Sequence, residues 1–130
     1  MAIRLFRRER PPEIWEEPIA WPIGDIEAAH KIRDICRTAT DSAEKTGSLA
    51  GKLDARRKKA EAERYERAAR VAMEIALKIT DDLLRDSAVR QIVGLCAKAG
   101  DLKTARALFR AIQATSIREE MLQEYPVLRQ

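Results

Sequence analysis

Apolar side chains recur every three to four residues through most of the chain, which is the spacing of a helix with one buried face. The clearest stripe contains Ala68, Ala72, Ile75 and Ile79. Strands leave a different pattern, and the chain has no sustained two-residue alternation and no Asn-Gly or Asp-Gly hairpin turn. The pattern therefore predicts an all-α fold of about five antiparallel helices.

Turn and capping residues divide this pattern into helices. In each of the dipeptides Gly24-Asp25 and Gly100-Asp101, we expect the glycine to form a turn and the aspartate to cap the next helix. A break is expected near 47–51, where two glycines lie close together. The predicted helices begin at Asp25 and near Lys52, and then at caps formed by Thr80 or Asp81, by Asp101 and by Thr115; the second ends near Ile79 and the last before Pro126.

Residues 1–23 have a different character from the rest. They contain four of the five prolines and both tryptophans, Trp15 and Trp21. Each proline removes an amide donor and restrains the residue before it, so this segment cannot be one helix. We predict an extended, polyproline-like arm over 1–23 and a single helical-repeat domain over 24–130.

Two offsets relate one part of the helical region to another. The long offset aligns Gly24 and Asp25 with Gly100 and Asp101. The short offset is about 33 residues, the length of a helix–turn–helix repeat. It aligns Ala72, Ile75, Ile79 and Arg85 with Ala105, Leu108, Ile112 and Arg118. We expect the two arginines to pair between helices, with a shared ligand-facing role as the alternative.

The stretch "IVGLCAKAGDLKTARALFRAI" resembles the tetratricopeptide and pentatricopeptide superfamily of helical repeats. The resemblance rests on Gly100, Asp101, Ala105 and Phe109, with the alanine allowing close helix contact and the phenylalanine filling the adjacent space. It covers about 68–126, with a degenerate copy at 24–46. It implies a short αα-repeat array that binds a peptide or helix in its groove.

Composition and charge narrow the classes of function. The chain is 45% hydrophobic and 35% charged, and its apolar runs are far shorter than the ~20 residues that span a bilayer. No membrane span and a cytoplasmic location are therefore expected, with Cys36 and Cys96 as reduced, partly buried thiols. The net charge of +4 is uneven, because residues 52–70 carry eight Lys and Arg against four Asp and Glu.

Candidate catalytic chemistry is sparse. His30 is the only histidine, and helical geometry places it on a different face from Cys36, which disfavours a Cys–His pair. Asp81, Asp82 and Asp86 could suggest a cation site, but helix capping explains the first two more simply. There is no nucleotide-binding loop or metal cluster in the pattern. We therefore expect no catalytic, cofactor or metal residues.

These observations favour a non-catalytic adaptor or regulatory subunit that binds a partner peptide or helix, and they leave self-association open. Trp15 and Trp21 are the predicted partner-binding residues, because tryptophan is enriched at interfaces. The alternative for both is packing of the arm on its own domain. A second function is electrostatic RNA or DNA binding, with phosphate contacts predicted for Arg56, Arg57, Lys58 and Lys59.

Overall fold

A computed structural model describes residues 11–48 and 54–129 of the 130-residue chain. Within these ranges the chain forms five α-helices, two short 3₁₀ turns and no strand, which confirms the all-α prediction. The helices are α1 (Asp25–Gly47), α2 (Ala55–Ala76), α3 (Asp82–Lys98), α4 (Leu102–Ala111) and α5 (Thr115–Glu124), and the 3₁₀ turns span Ile14–Glu16 and Pro126–Arg129. Helix α2 ends one turn before the predicted boundary at Ile79.

Helix α3 is the central element, because it packs against each of the other four helices. Helix α2 also packs along α1. The core between them combines branched side chains with alanines, and the small side chains allow the helix axes to approach closely. Its fully buried members include Ile32, Ile75, Ile92, Ile112, Met121, Ala39, Ala43, Ala68, Ala72, Ala76 and Ala105.

The two Gly-Asp dipeptides have different structural roles. Gly100 has a φ of 74°, and the amides of Gly100 and Asp101 donate to the carbonyls of Ala97 and Cys96 at 3.0 Å each, which closes the end of α3. Asp101 then caps α4 through the Thr104 amide, as predicted. Gly24 instead has an extended backbone and occupies the cap position of α1 itself. The prediction that Asp25 caps α1 is therefore wrong.

Asp25 and Asp86 each bind the two backbone amides that precede a later helix, and we call these contacts aspartate bridges. The Asp25 carboxylate accepts hydrogen bonds from the amides of Thr80 and Asp81, at 3.1 and 2.8 Å, and from the Thr80 hydroxyl at 2.7 Å. Asp86 is buried and accepts from the amides at positions 113 and 114, at 3.1 and 2.9 Å. The two pairs of bridged amides, at positions 80 and 81 and at positions 113 and 114, are separated by the same short offset that was found in the sequence.

The second bridge also explains a wrong prediction at the start of α5. Thr115 was expected to cap this helix, but the cap position is Ala114, whose side chain cannot accept a hydrogen bond. The Asp86 carboxylate binds the amides at this point from the neighbouring helix instead. Capping by tertiary contact replaces capping by a local side chain.

Arg85 and Arg118 make equivalent contacts, each with the segment that precedes its own helix. Arg85 donates to the carbonyl of Ile79 at 3.3 Å, and Arg118 donates to the carbonyl of Ile112 at 3.0 Å. Donors and acceptors are again related by the short offset. Each arginine therefore ties its helix to the connecting segment before it, and of the two only Arg118 also donates to the preceding helix, to the Phe109 carbonyl at 3.3 Å.

Gly47 marks a close approach between the end of α1 and the α3–α4 turn. A Cβ atom at this position would lie 2.3 Å from the Lys98 carbonyl oxygen, whereas one at Gly24 would meet nothing within 4 Å. We predict that Gly47→Ala lowers the free energy of unfolding by about 3 kcal/mol, because two backbone segments must separate. The matched control Gly24→Ala should cost less than about 1 kcal/mol. Urea denaturation followed by circular dichroism measures both, and equal effects would contradict the assigned contact.

The first aspartate bridge predicts a pH dependence of stability. The Thr80 amide contributes most, followed by the Thr80 hydroxyl and the Asp81 amide, to a pKa of Asp25 that is lowered from its ordinary value of 3.8. The stabilisation is fully present above the unfolded pKa and is lost as the pH falls through the lower folded pKa. Below about pH 4, the wild type should therefore lose more stability than Asp25→Asn does.

The control for this prediction is Asp41→Asn, which removes an exposed carboxylate of α1 that pairs with Lys45. Chemical denaturation at several pH values gives the required free energies of unfolding. The acid-induced loss in the control should follow the wild type. An unchanged acid-induced loss in Asp25→Asn would show that the bridge does not hold the turn.

Candidate functional site

Trp15 lies inside the protein. The 3₁₀ turn Ile14–Glu16 packs against α2, and the Trp15 side chain is only 4% exposed. The Arg64 guanidinium covers the ring at 4.9 Å from its centroid. Trp15 therefore follows the alternative given above, in which the arm packs on its own domain. Its surface is not available to a partner in this structure.

Arg64 connects the arm to both long helices. Its Nε and one terminal nitrogen donate to the two carboxylate oxygens of Glu13 at 2.7 and 3.0 Å, and the other donates to Ser42 Oγ at 2.7 Å. Ser42 is buried and donates onward to Glu61 at 2.6 Å. The hydrogen bond to Glu13 is the largest cause of the raised pKa of Arg64. The arm is therefore held by a bidentate ion pair within a connected network.

The position of Glu61 corrects an expectation from the sequence. The spacing of Arg57 and Glu61 favours an ion pair along α2. Glu61 instead turns towards α1, where it accepts from Ser42 and lies 3.8 Å from Lys45. The expected pair is not formed among the described residues, and Arg57 is exposed.

Trp21, the second predicted partner-binding residue, lies at the surface with 41% of its side chain exposed. Lys78 Nζ is 5.0 Å from its ring centroid, which is the geometry of a cation–π contact. Three further large apolar side chains are exposed in the described part of the chain. They are Ile26, Leu77 and Leu83, at 64%, 72% and 60%.

These four residues lie at one end of the helix bundle, and we call them the apolar end surface. Ile26 belongs to the first turn of α1, Leu77 follows α2 directly and Leu83 belongs to the first turn of α3. The Asp25 bridge to positions 80 and 81 brings these ends together. Trp21 and Ile26 line one shallow groove there. Ile26, Ala29 and Cys36 recur at the three-to-four-residue spacing that predicts one buried face of α1, and the exposure of Ile26 shows that this prediction is wrong for its first member.

A second groove runs between α1, α3 and α5, with a volume of about 650 Å³. Its lining carries four cationic side chains, of which Arg37 pairs with Asp34 and Arg90 contacts Glu120 and Glu124. The sequence alone did not indicate this groove, because its walls come from three helices that are distant along the chain. Much of its positive charge is already balanced by carboxylates of the same protein.

The predicted nucleic-acid residues lie on the first turns of α2. Arg56, Arg57 and Lys59 are exposed, while Lys58 is half-buried and donates to the Ser48 carbonyl at 3.1 Å. Their exposure is compatible with phosphate contacts but equally with a solvated helix face. Nucleic-acid binding by these residues stays a prediction.

The remaining candidates for chemistry are occupied or buried. Cys36 and Cys96 are buried and unbridged, and burial is the main cause that raises their pKa values to about 12 and about 11. Such thiols are poor nucleophiles near neutral pH because the reactive thiolate is scarce. Asp81 caps α3 as predicted, through the Leu84 amide at 2.8 Å.

Metal-binding clusters and membrane-spanning helices are both absent from the described ranges. No cluster of three or more His, Cys, Asp or Glu residues there could hold a metal ion. No helix in those ranges has the length and apolar character needed to cross a membrane.

Comparison with known proteins leaves the family open. No family model, curated protein or solved structure matches the chain significantly. The resemblance to tetratricopeptide-like repeats therefore stays a prediction, and the function has to be inferred from the surfaces described above.

The contrast between the two tryptophans predicts distinct fluorescence. A Trp21→Phe variant, which retains only Trp15, should emit at short wavelength and resist acrylamide, because its indole is buried. A Trp15→Phe variant, which retains Trp21, should emit at longer wavelength and be quenched readily. Steady-state emission and quenching of the purified variants measure this difference. Similar spectra from both would contradict the placement of the arm.

Proposed function

We propose that this protein is a non-catalytic interaction module that binds an apolar segment of a partner protein at the apolar end surface, with Trp21 as the central anchor. The observation that carries the proposal is the gathering of the large exposed apolar side chains of the described residues at one end of the bundle. Large apolar side chains that are exposed at the same end of a folded protein are typical of interaction sites. Single apolar residues scattered over a surface would not indicate an interaction site.

The surroundings of these side chains support the proposal. Lys78, Thr80 and Asp81 line the same groove as Trp21. An apolar centre with a polar rim is the common anatomy of protein interfaces. The aspartate bridge fixes the backbone beneath the surface, so little ordering entropy would have to be lost on binding.

Trp21 has the properties of an energetic anchor. Tryptophan is enriched among the interface residues whose truncation costs most, and this ring is already oriented by Lys78 and by its amide, which donates to the Ile19 carbonyl at 3.0 Å. A partner segment with aliphatic or aromatic side chains would bury the ring together with Ile26 in the groove that both residues line. The proposed partner is therefore an amphipathic helix or short apolar peptide.

Selection from a random peptide library tests the proposal without a known partner. Peptides recovered on the folded wild type should be rich in aliphatic and aromatic residues and bind saturably in fluorescence anisotropy. Trp21→Ala should weaken them by about 2 kcal/mol, or about thirtyfold, because the anchor is lost. Leu83→Ser should weaken them in the same direction. Sedimentation of the free protein is measured first, so that self-association is not mistaken for peptide binding.

The matched control is Lys103→Ala, an exposed residue on α4 that lies outside the apolar end surface. Its peptide affinity should equal that of the wild type. Selected peptides that bind Trp21→Ala and Leu83→Ser as tightly as the wild type would overturn the proposal. Binding of single-stranded RNA that persists at ~150 mM salt and is lost in Arg56→Ser/Lys59→Ser would favour the nucleic-acid alternative.

A further inference from the structure

The groove at the apolar end surface carries a net negative charge. The carboxylates of Asp25, Glu27 and Asp81 line it, together with the ammonium group of Lys78, and these charges leave a net charge of −2. The hydrogen bonds that Asp25 and Asp81 accept come from neutral amides and a hydroxyl, so they do not cancel the negative charges. Glu27 is exposed and forms no ion pair among the described residues. The groove is therefore apolar around Trp21 and acidic at its edge.

This charge narrows the class of partner. The chain as a whole has a formal net charge of +4, so the acidic groove is a local exception. The neighbouring Asp82 and Arg85 pair with each other and leave the imbalance unchanged. A partner segment with arginines beside its apolar side chains gains electrostatic attraction as well as apolar burial, and a guanidinium also stacks well on an exposed indole such as Trp21. This inference rests on the proposed function, because it names the partner of the same surface.

One segment of this chain has the required chemistry. Residues 1–10, which lie outside the described ranges, read "MAIRLFRRER", and we call them the basic segment. Their four arginines and one glutamate give a side-chain charge of +3, opposite in sign to that of the groove. They also include three large apolar side chains, Ile3, Leu5 and Phe6. The basic segment is therefore complementary to the groove in both charge and apolar character.

The path of the arm favours a second copy of the chain over the same copy as the source of this segment. The arm runs along α2 towards the apolar end surface, with Glu13 bound to Arg64 and Trp21 beside Lys78. The basic segment joins the arm at its far end, about 20 Å from the groove by the helical rise between Arg64 and Lys78. Phe6 precedes Glu13 by seven residues, which span at most about 23 Å when fully extended. A second copy is free of this restriction.

We propose that the apolar end surface binds the basic segment of a second copy of this chain. The apolar side chains of the segment cover Trp21 and Ile26, and its arginines lie against the carboxylates at the edge of the groove. Two copies exchange their segments reciprocally, which produces a dimer with twofold symmetry. The attraction acts between exposed charges, so it weakens as salt is added.

Sedimentation of the full chain over a range of concentrations measures this association. In about 50 mM salt the wild type should form dimers as its concentration rises, and about 500 mM salt should weaken the association more than about threefold. Arg7→Glu/Arg8→Glu and Glu27→Lys should each weaken it more than about tenfold, because like charges then face each other. The matched control Glu119→Lys makes the same charge change at an exposed position of α5 and should associate like the wild type. Circular dichroism verifies that each variant is folded.

A mixture of the two charge-reversed variants identifies the surfaces that meet. Arg7→Glu/Arg8→Glu retains the natural groove, and Glu27→Lys retains the natural basic segment. Neither variant should associate alone, whereas an equimolar mixture should form heterodimers, because both of its contacts then join opposite charges. Sedimentation with a fluorescent label on one variant detects these heterodimers.

Three results would overturn the proposal. The first is a wild type that stays monomeric at concentrations up to about 1 mM. The second is a mixture without heterodimers, or association that Arg7→Glu/Arg8→Glu leaves unchanged. The third is protection of Trp21 from acrylamide that is independent of protein concentration and lost in Arg7→Glu/Arg8→Glu, which would place the segment on its own chain. Library-selected peptides that still depend on Trp21 would then preserve the proposed function, so the two proposals fail separately.

Discussion

Helix α1 is held at both of its ends, and the rest of the structure depends on this. At its start, the Asp25 carboxylate binds the amides that precede α3. At its end, Gly47 allows the backbone to lie against the Lys98 carbonyl, an approach that any larger side chain would prevent. Between these points α1 packs along both α2 and α3. A helix fixed at two distant points defines the position of every element that packs on it.

The arm depends on this framework and gives the molecule two separate features. Arg64 binds Glu13 on one side and Ser42 on the other, so docking of the arm requires α1 and α2 to be correctly paired. The same arm then places Trp15 inside the protein and Trp21 at its surface. The buried ring lies beneath the Arg64 guanidinium, whereas the exposed ring belongs to the apolar end surface. Two tryptophans of one short segment thus lie in opposite environments, one inside the protein and one at its surface.

The short offset relates contacts in the structure as well as residue types in the sequence. The arginine-to-carbonyl contacts repeat at this spacing, and so do the amides that the aspartate bridges bind. The two bridging aspartates themselves are more widely spaced, because the α1–α2 hairpin is longer than α3–α4. The long offset instead matched two Gly-Asp dipeptides whose backbones and roles differ. Matching residue types were therefore a weaker sign of a structural repeat than equivalent contacts were.

The sequence by itself determined the helical class, the approximate breaks between helices and the local cap at Asp101, and it limited the cap of α3 to Thr80 or Asp81. These depend on side-chain spacing and on hydrogen bonds between near neighbours, which local sequence specifies. Only the tertiary structure decided that Asp25 and Asp86 cap other helices, that Glu61 faces α1 and that Ile26 is exposed. It also separated Trp15 from Trp21 and formed the apolar end surface. Each of these requires residues that are distant along the chain to meet, and their positions are set by helix packing and not by local preference.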